Sequence, residues 1–113
     1  MRVRNITTNK EVASHVVVAD TLFLRLKGLL GRKALTAGEG LLIKPCKGVH
    51  TFGMRFPIDV VFLDKQNFVI ACKKNMAPNR LTPVYPRAAT VLELSAGIID
   101  ATSTETGHQL ELA

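Results

Sequence analysis

A chain of 113 residues, 47% hydrophobic and 21% charged, is expected to form one domain, 1–113, with an adequate core, and its composition excludes a disordered protein. Fifteen basic residues against nine acidic ones give a net charge of +6, yet the basic residues are scattered from Arg2 to Arg87, so a solvated surface is expected ahead of a nucleic-acid footprint. No Trp and one Tyr argue against stacked-base recognition on a sheet, and the apolar runs fall far short of the roughly 18 residues that span a bilayer.

Met1 to Thr8 carries basic residues with no apolar stretch behind them, so it is not read as a secretory signal. The expected compartment is the cytoplasm, with Cys46 and Cys72 as reduced thiols. Val3–Ile6 and Val12–Ala19 are β-branched runs separated by Thr7-Thr8-Asn9-Lys10, which predicts a hairpin. Alternation groups His15 with Ala13 and Val17, the position of a half-exposed strand residue. Asp20 reads as the N-cap of a helix over Thr21–Lys27 that Gly28 stops. Leu22, Phe23, Leu26, Leu29 and Leu30 fall at helical spacing and are expected to bury one face over a sheet, with Arg25 pointing elsewhere.

Gly38-Glu39-Gly40 predicts a turn with amides free for an anion, although the spacing is not that of a P-loop. A strand over Leu41–Lys44 ends at Pro45, and Cys46–Val49 is an irregular link. Phe56–Asp64 is the clearest strand, with Ile58, Val60 and Phe62 on one face and Asp59, Val61 and Leu63 on the other. Asp59 on so apolar a face needs a cationic or backbone donor, because a buried unpaired charge is costly. Asp64–Asn67 turns the chain into a returning strand over Phe68–Lys73. Asn75–Pro86, with three prolines, is loop or edge. A strand over Thr90–Leu94, a short helical or irregular piece through Ala101 and a last strand over His108–Leu112 complete the chain. The pattern predicts an α+β, mainly β domain of six or seven short strands and one principal helix, partly closed into a small barrel that would remove sheet edges.

Four stretches in this order, Arg25-Leu26-Lys27-Gly28-Leu29-Leu30-Gly31-Arg32, Gly38-Glu39-Gly40-Leu41-Leu42, His50 to Asp64, and Val91-Leu92-Glu93-Leu94-Ser95-Ala96-Gly97, resemble the family called domain of unknown function 192. The likeness runs from about Ala19 to the final strand. It implies a compact, strand-rich single domain and brings no established activity, cofactor or catalytic residue. Where many relatives carry a Trp before the Met and an Asn after the residue that follows it, this chain has Gly53 and Phe56, so no role of those side chains transfers.

The residues themselves suggest a polar ligand site of His50, Arg55 and Asp59, with Glu93 and Arg25 beside it. An imidazole next to a carboxylate can act as a general base, and a guanidinium can hold a carboxylate or phosphate. Arg55 and Asp59, four apart across a proline, are explained more simply as a structural ion pair than as a ligand site. A metal trio of Cys46, His50 and Cys72 has only one loose clip, and a Cys46–His50 nucleophile matches no cysteine-enzyme signature. The expectation is a binding module for a small anionic ligand or a protein partner, without cofactor; the alternative is a hydrolase or transferase using a His50/Asp59 pair, for which no Gly-x-Ser-x-Gly elbow supplies a nucleophile.

Overall fold

Ser14 divides what the β-branched run over Val12–Ala19 predicts as one strand. In the computed structural model, which describes residues 1–113, β1 (Val3–Asn5) and β2 (Lys10–Ala13) form the expected hairpin, but the chain turns at Ser14 and β3 (His15–Ala19) enters a different sheet. The amides of Ser14 and His15 both donate to the Gly38 carbonyl at 2.9 Å, which fixes the corner. α1 (Leu22–Lys27) follows, then β4 (Glu39–Ile43), β5 (Ile58–Leu63), β6 (Val69–Met76), β7 (Thr90–Ser95), α2 (Ile98–Ala101) and β8 (Leu110–Leu112).

The eight strands form a three-stranded sheet in the order β2-β1-β8 and a five-stranded sheet in the order β3-β4-β7-β5-β6. Only β3 and β4 pair in parallel, as a connection through α1 permits; the other neighbours are antiparallel. The mainly β, α+β class is as expected, but the two sheets do not close into a barrel. The edges of the larger sheet are β3 and β6 and those of the smaller one β2 and β8; β6 guards its own with exposed Lys74 and irregular pairing to β5.

Alternation along β5 separates two apolar layers. Val61 and Leu63 join Val3, Val16, Leu92, Leu94 and Ile99 between the sheets. Ile58, Val60 and Phe62 point the other way, into a layer with Ile43, Leu29, Met54 and Val91 under the loops. The two faces of this sheet carry different chemistry.

α1 departs from expectation in two respects. Its cap is Thr21, whose hydroxyl accepts the Leu24 amide at 3.1 Å, rather than Asp20. None of its residues is buried, and the apolar face expected to plug the sheet stands in solvent at Leu22, Phe23 and Leu26. Leu29, in the turn after the helix, is the member of that set that reaches the core.

Candidate functional site

The segment Cys46–Met54 is held in place by backbone pairing with the proline-rich loop. Thr51, fully buried, donates its amide to the Arg80 carbonyl and its hydroxyl to the Ala77 carbonyl at 2.7 Å, while the Arg80 amide donates back to that hydroxyl. His50 pairs in an isolated bridge with Leu81, and Lys47 donates to the carbonyls of Pro86 and Ala88. The segment therefore stands as a fixed wall facing α1.

Between this wall and α1 lies a cavity of about 200 Å³. Leu22, Leu26, Leu30, Ile43, Val49 and Met54 give it apolar sides; Arg25, Cys46, His50 and Glu93 supply the polar groups. Glu93 projects from β7, the strand between β4 and β5, opposite Leu41 on one side and Val60 on the other. It is 3% exposed and forms neither a hydrogen bond nor an ion pair, and burial raises its pKa to about 7. Arg25 donates through Nη1 to the Pro45 carbonyl at 3.1 Å, while its buried Nε has no partner. One cavity thus contains an unpaired carboxylate and an unpaired guanidinium N–H. Ordinary buried polar groups are paired, so the Arg25 Nε–H is an exception, while the Glu93 carboxyl opens on the cavity without a protein partner.

The sequence candidates do not converge. Asp59 is 1% exposed and lies on the inter-sheet face, where Oδ1 accepts the Asn75 amide at 2.8 Å and Oδ2 accepts the amides of Gly97 at 3.1 Å and Ile99 at 2.8 Å. It binds β6 and α2 to β5. Arg55 is exposed and forms no ion pair, so the Arg55–Asp59 pair is absent. His50 belongs to the other side of the sheet, stacked on Phe52 with centroids 5.3 Å apart, its Nδ1 accepting the Phe52 amide at 3.2 Å. The His50/Asp59 pair required by the hydrolase or transferase alternative does not form. Of the five candidates, His50, Arg25 and Glu93 share the cavity; Asp59 and Arg55 lie outside it.

The thiol readings are corrected in the same way. Cys46 packs against the loop-covered layer and Cys72 against the inter-sheet layer, so Cys46, His50 and Cys72 cannot converge on one ion. No group of three His, Cys, Asp or Glu side chains is placed to hold a metal. Burial pushes the Cys46 thiol up, and its Sγ donates to the Gly48 carbonyl at 3.1 Å; burial pushes Cys72 to about 11. Neither thiol is activated for attack. Glu39 uses the Gly38-Glu39-Gly40 turn internally, accepting from the Thr36 amide and hydroxyl and pairing with Arg32 at 3.0 Å, which lowers its pKa to about 2.

Sequence reasoning missed Leu22, Leu26 and Met54 as cavity walls. Their only signal was apolar spacing, which fits a core as well as a wall.

Residues 4–112 match the family model for domain of unknown function 192, described as Uncharacterized ACR. A UPF0127 protein of Pyrococcus furiosus is 34% identical over 110 residues, covering 95% of this chain and 94% of its own. A UPF0127 protein of Thermococcus sibiricus is 30% identical, covering 95% of this chain and 71% of its own. Among solved structures, a protein of unknown function from Novosphingobium aromaticivorans superposes with a TM-score of 0.80 at 21% identity, over 98% of this chain and 82% of that one. A candidate transcription regulator from Sinorhizobium meliloti gives 0.79 at 22% identity, over 97% and 89%. At these identities the two structures establish a shared fold.

Proposed function

For a chain that belongs to the uncharacterised domain of unknown function 192 family, we propose a ligand-binding role centred on the cavity beneath α1. The observation that carries this reading is the pairless Glu93 carboxylate facing the same apolar cavity as the pairless Nε–H of Arg25. A buried polar group costs stability unless something completes it, so a site with one free acceptor and one free donor favours a ligand offering the reverse. The ligand is a small molecule with an apolar body and a head that places an N–H donor beside a carbonyl acceptor, as in a primary amide or an α-amino carbonyl compound. The head spans Glu93 and Arg25; the body lies against Leu26, Ile43 and Met54. Its size is modest, since pockets for drug-sized molecules run from roughly 300 Å³ upward. The buried carboxylate argues against the small anion that the basic composition suggests, and leaves Arg25 as the only cation of the cavity wall besides the exposed Lys27.

The test is a thermal-shift and amide-NMR titration with leucinamide, benzamide and hexanoate as probes. Binding at about one hundred times Kd stabilises by ~2.7 kcal/mol. Leucinamide or benzamide should raise the midpoint and move the signals of Cys46, His50 and Glu93, with no response in Glu93→Leu, a variant that replaces an unpaired carboxylate by an apolar group and so stays folded. Hexanoate should do neither. Equal shifts in the wild type and Glu93→Leu would reject the site.

A further inference from the structure

We infer that the face formed by α1 and the Phe52 tip docks onto an anionic lipid surface. Leu22, Phe23 and Leu26 are 65%, 72% and 68% exposed on a helix with no buried residue, and Phe52 is 48% exposed. The Phe52–Gly53 tip adjoins the same face, because a Cβ on Gly53 would lie 3.3 Å from Leu30, in the turn after α1. Contiguous apolar side chains of this size on a water-facing surface mark a contact site.

The surrounding charge identifies the partner. Arg25 and Lys27 belong to the helix itself, Arg55 follows the Phe52 tip, and exposed Lys44 extends β4 beside the end of β3, its amide bonded to the Ala19 carbonyl. None of these four has an acidic partner within an ion pair. Acidic residues are nearly absent from the face: Glu93 is buried, Glu39 is paired with Arg32, and Asp20 alone is exposed and free. The others sit elsewhere: Glu11 on β2, Glu111 on β8, Asp64 in the β5–β6 turn, Asp59 buried, and Asp100 and Glu105 at or after α2. Phe and Leu projecting from a short helix with basic side chains around them is the chemistry of an element that lies in the headgroup layer. A second copy of a chain of net charge +6 would oppose like charge to like, and a nucleic acid would leave Phe23 and Leu26 uncovered. The helix lies on the surface and does not cross it, no helix being long and apolar enough to span. The docking needs no ligand in the cavity, although Leu22, Arg25, Leu26 and Lys27 serve both surfaces; Phe23 and Phe52 belong to the docking face alone.

The test is co-sedimentation of the full chain with vesicles of phosphatidylcholine alone and of equal parts phosphatidylcholine and phosphatidylglycerol, at low and high salt. The chain should pellet with the anionic vesicles only and be released by salt, since each basic group near such a surface contributes roughly fivefold in affinity. Phe23→Ser, at an exposed position off the cavity wall, should weaken pelleting by about tenfold with an unchanged melting midpoint, and Lys27→Gln with Lys44→Gln should weaken it by about a further twenty-five-fold. Failure to pellet with anionic vesicles, equal pelleting with both types, or undiminished pelleting of Phe23→Ser would each overturn the proposal. So would a concentration-dependent dimer that Phe23→Ser dissolves, or tighter binding to a mixed-sequence oligonucleotide than to the vesicles.

Discussion

Asp59 and Ile99 lie 40 positions apart and meet at 2.8 Å, where the carboxylate accepts the amide hydrogen of the first turn of α2. The same oxygen takes the Gly97 amide and its twin takes that of Asn75, so one side chain ties three segments together without any cation.

Asp59→Ala strands three amides, that of Ile99 buried and those of Asn75 and Gly97 partly so. Hydrogen bonds to charged groups are worth about 1.5–3 kcal/mol each and overlap in a shared network, so the expected loss is of order 4 kcal/mol. Asp59→Asn retains one acceptor and turns an NH₂ toward a donor, for an intermediate loss of about 2–3 kcal/mol. Urea unfolding should show both as lower midpoints at unchanged slope, alanine the lower.

Glu93 makes stability fall as pH rises. Its folded pKa of about 7 lies above the unfolded 4.5, so between these values the native state holds the extra proton and deprotonation favours unfolding. The stabilising effect of the proton is complete below the unfolded value and lost as pH passes the folded one; over this window the contribution is of order 3 kcal/mol. Glu93→Gln should flatten that part of the pH profile, measured as unfolding free energy from pH 4.5 to 8. A profile with the same slope in the variant would place the effect elsewhere.

The thiols should be sluggish. With Cys72 at about 11, roughly one thiol in a thousand is ionised at pH 8, against about a quarter for an unperturbed cysteine. Iodoacetamide labelling followed by mass spectrometry should therefore modify Cys72 at least about a hundredfold more slowly in the native protein than in guanidinium, with Cys46 also retarded. Because the two pack into opposite layers, oxidation should yield no intramolecular disulfide.

Gly97 precedes α2 at φ 97°, with open space where a Cβ would be. Gly97→Ala meets no steric neighbour, so its whole cost is conformational, about 1–2 kcal/mol. A larger loss of thermal stability would mean that the Gly97 amide had also left Asp59.

Much of the strand pattern was legible because period-2 alternation is a local property: β5 lies within its predicted stretch, β6 and β7 overlap theirs but run on to Met76 and Ser95, and Asp59 on an apolar face did require a donor. Its donors were not legible, since α2 reaches β5 only in the folded topology. Nor was the pairing of His50 with Asp59 decidable, because it depends on which side of the sheet an irregular segment crosses. Leu22, Phe23 and Leu26 have the spacing of a buried face, but spacing specifies that they share a side and says nothing of what covers it. Glu93 showed only as an acid among Val91, Leu92 and Leu94; its isolation arises from the neighbouring strands, which present Leu41 and Val60. Barrel closure failed as an expectation because the corner at Ser14 diverts β2 away from the larger sheet.

That one-residue corner also couples motions. β2 and β3 cannot separate far while Ser14 and His15 both hold the Gly38 carbonyl, so opening the parallel edge at β3 must disturb the β1–β2 ladder as well. In hydrogen-exchange experiments the amides of Val12 and Val17, though in different sheets, should exchange through a shared opening event and slow together when either sheet is stabilised.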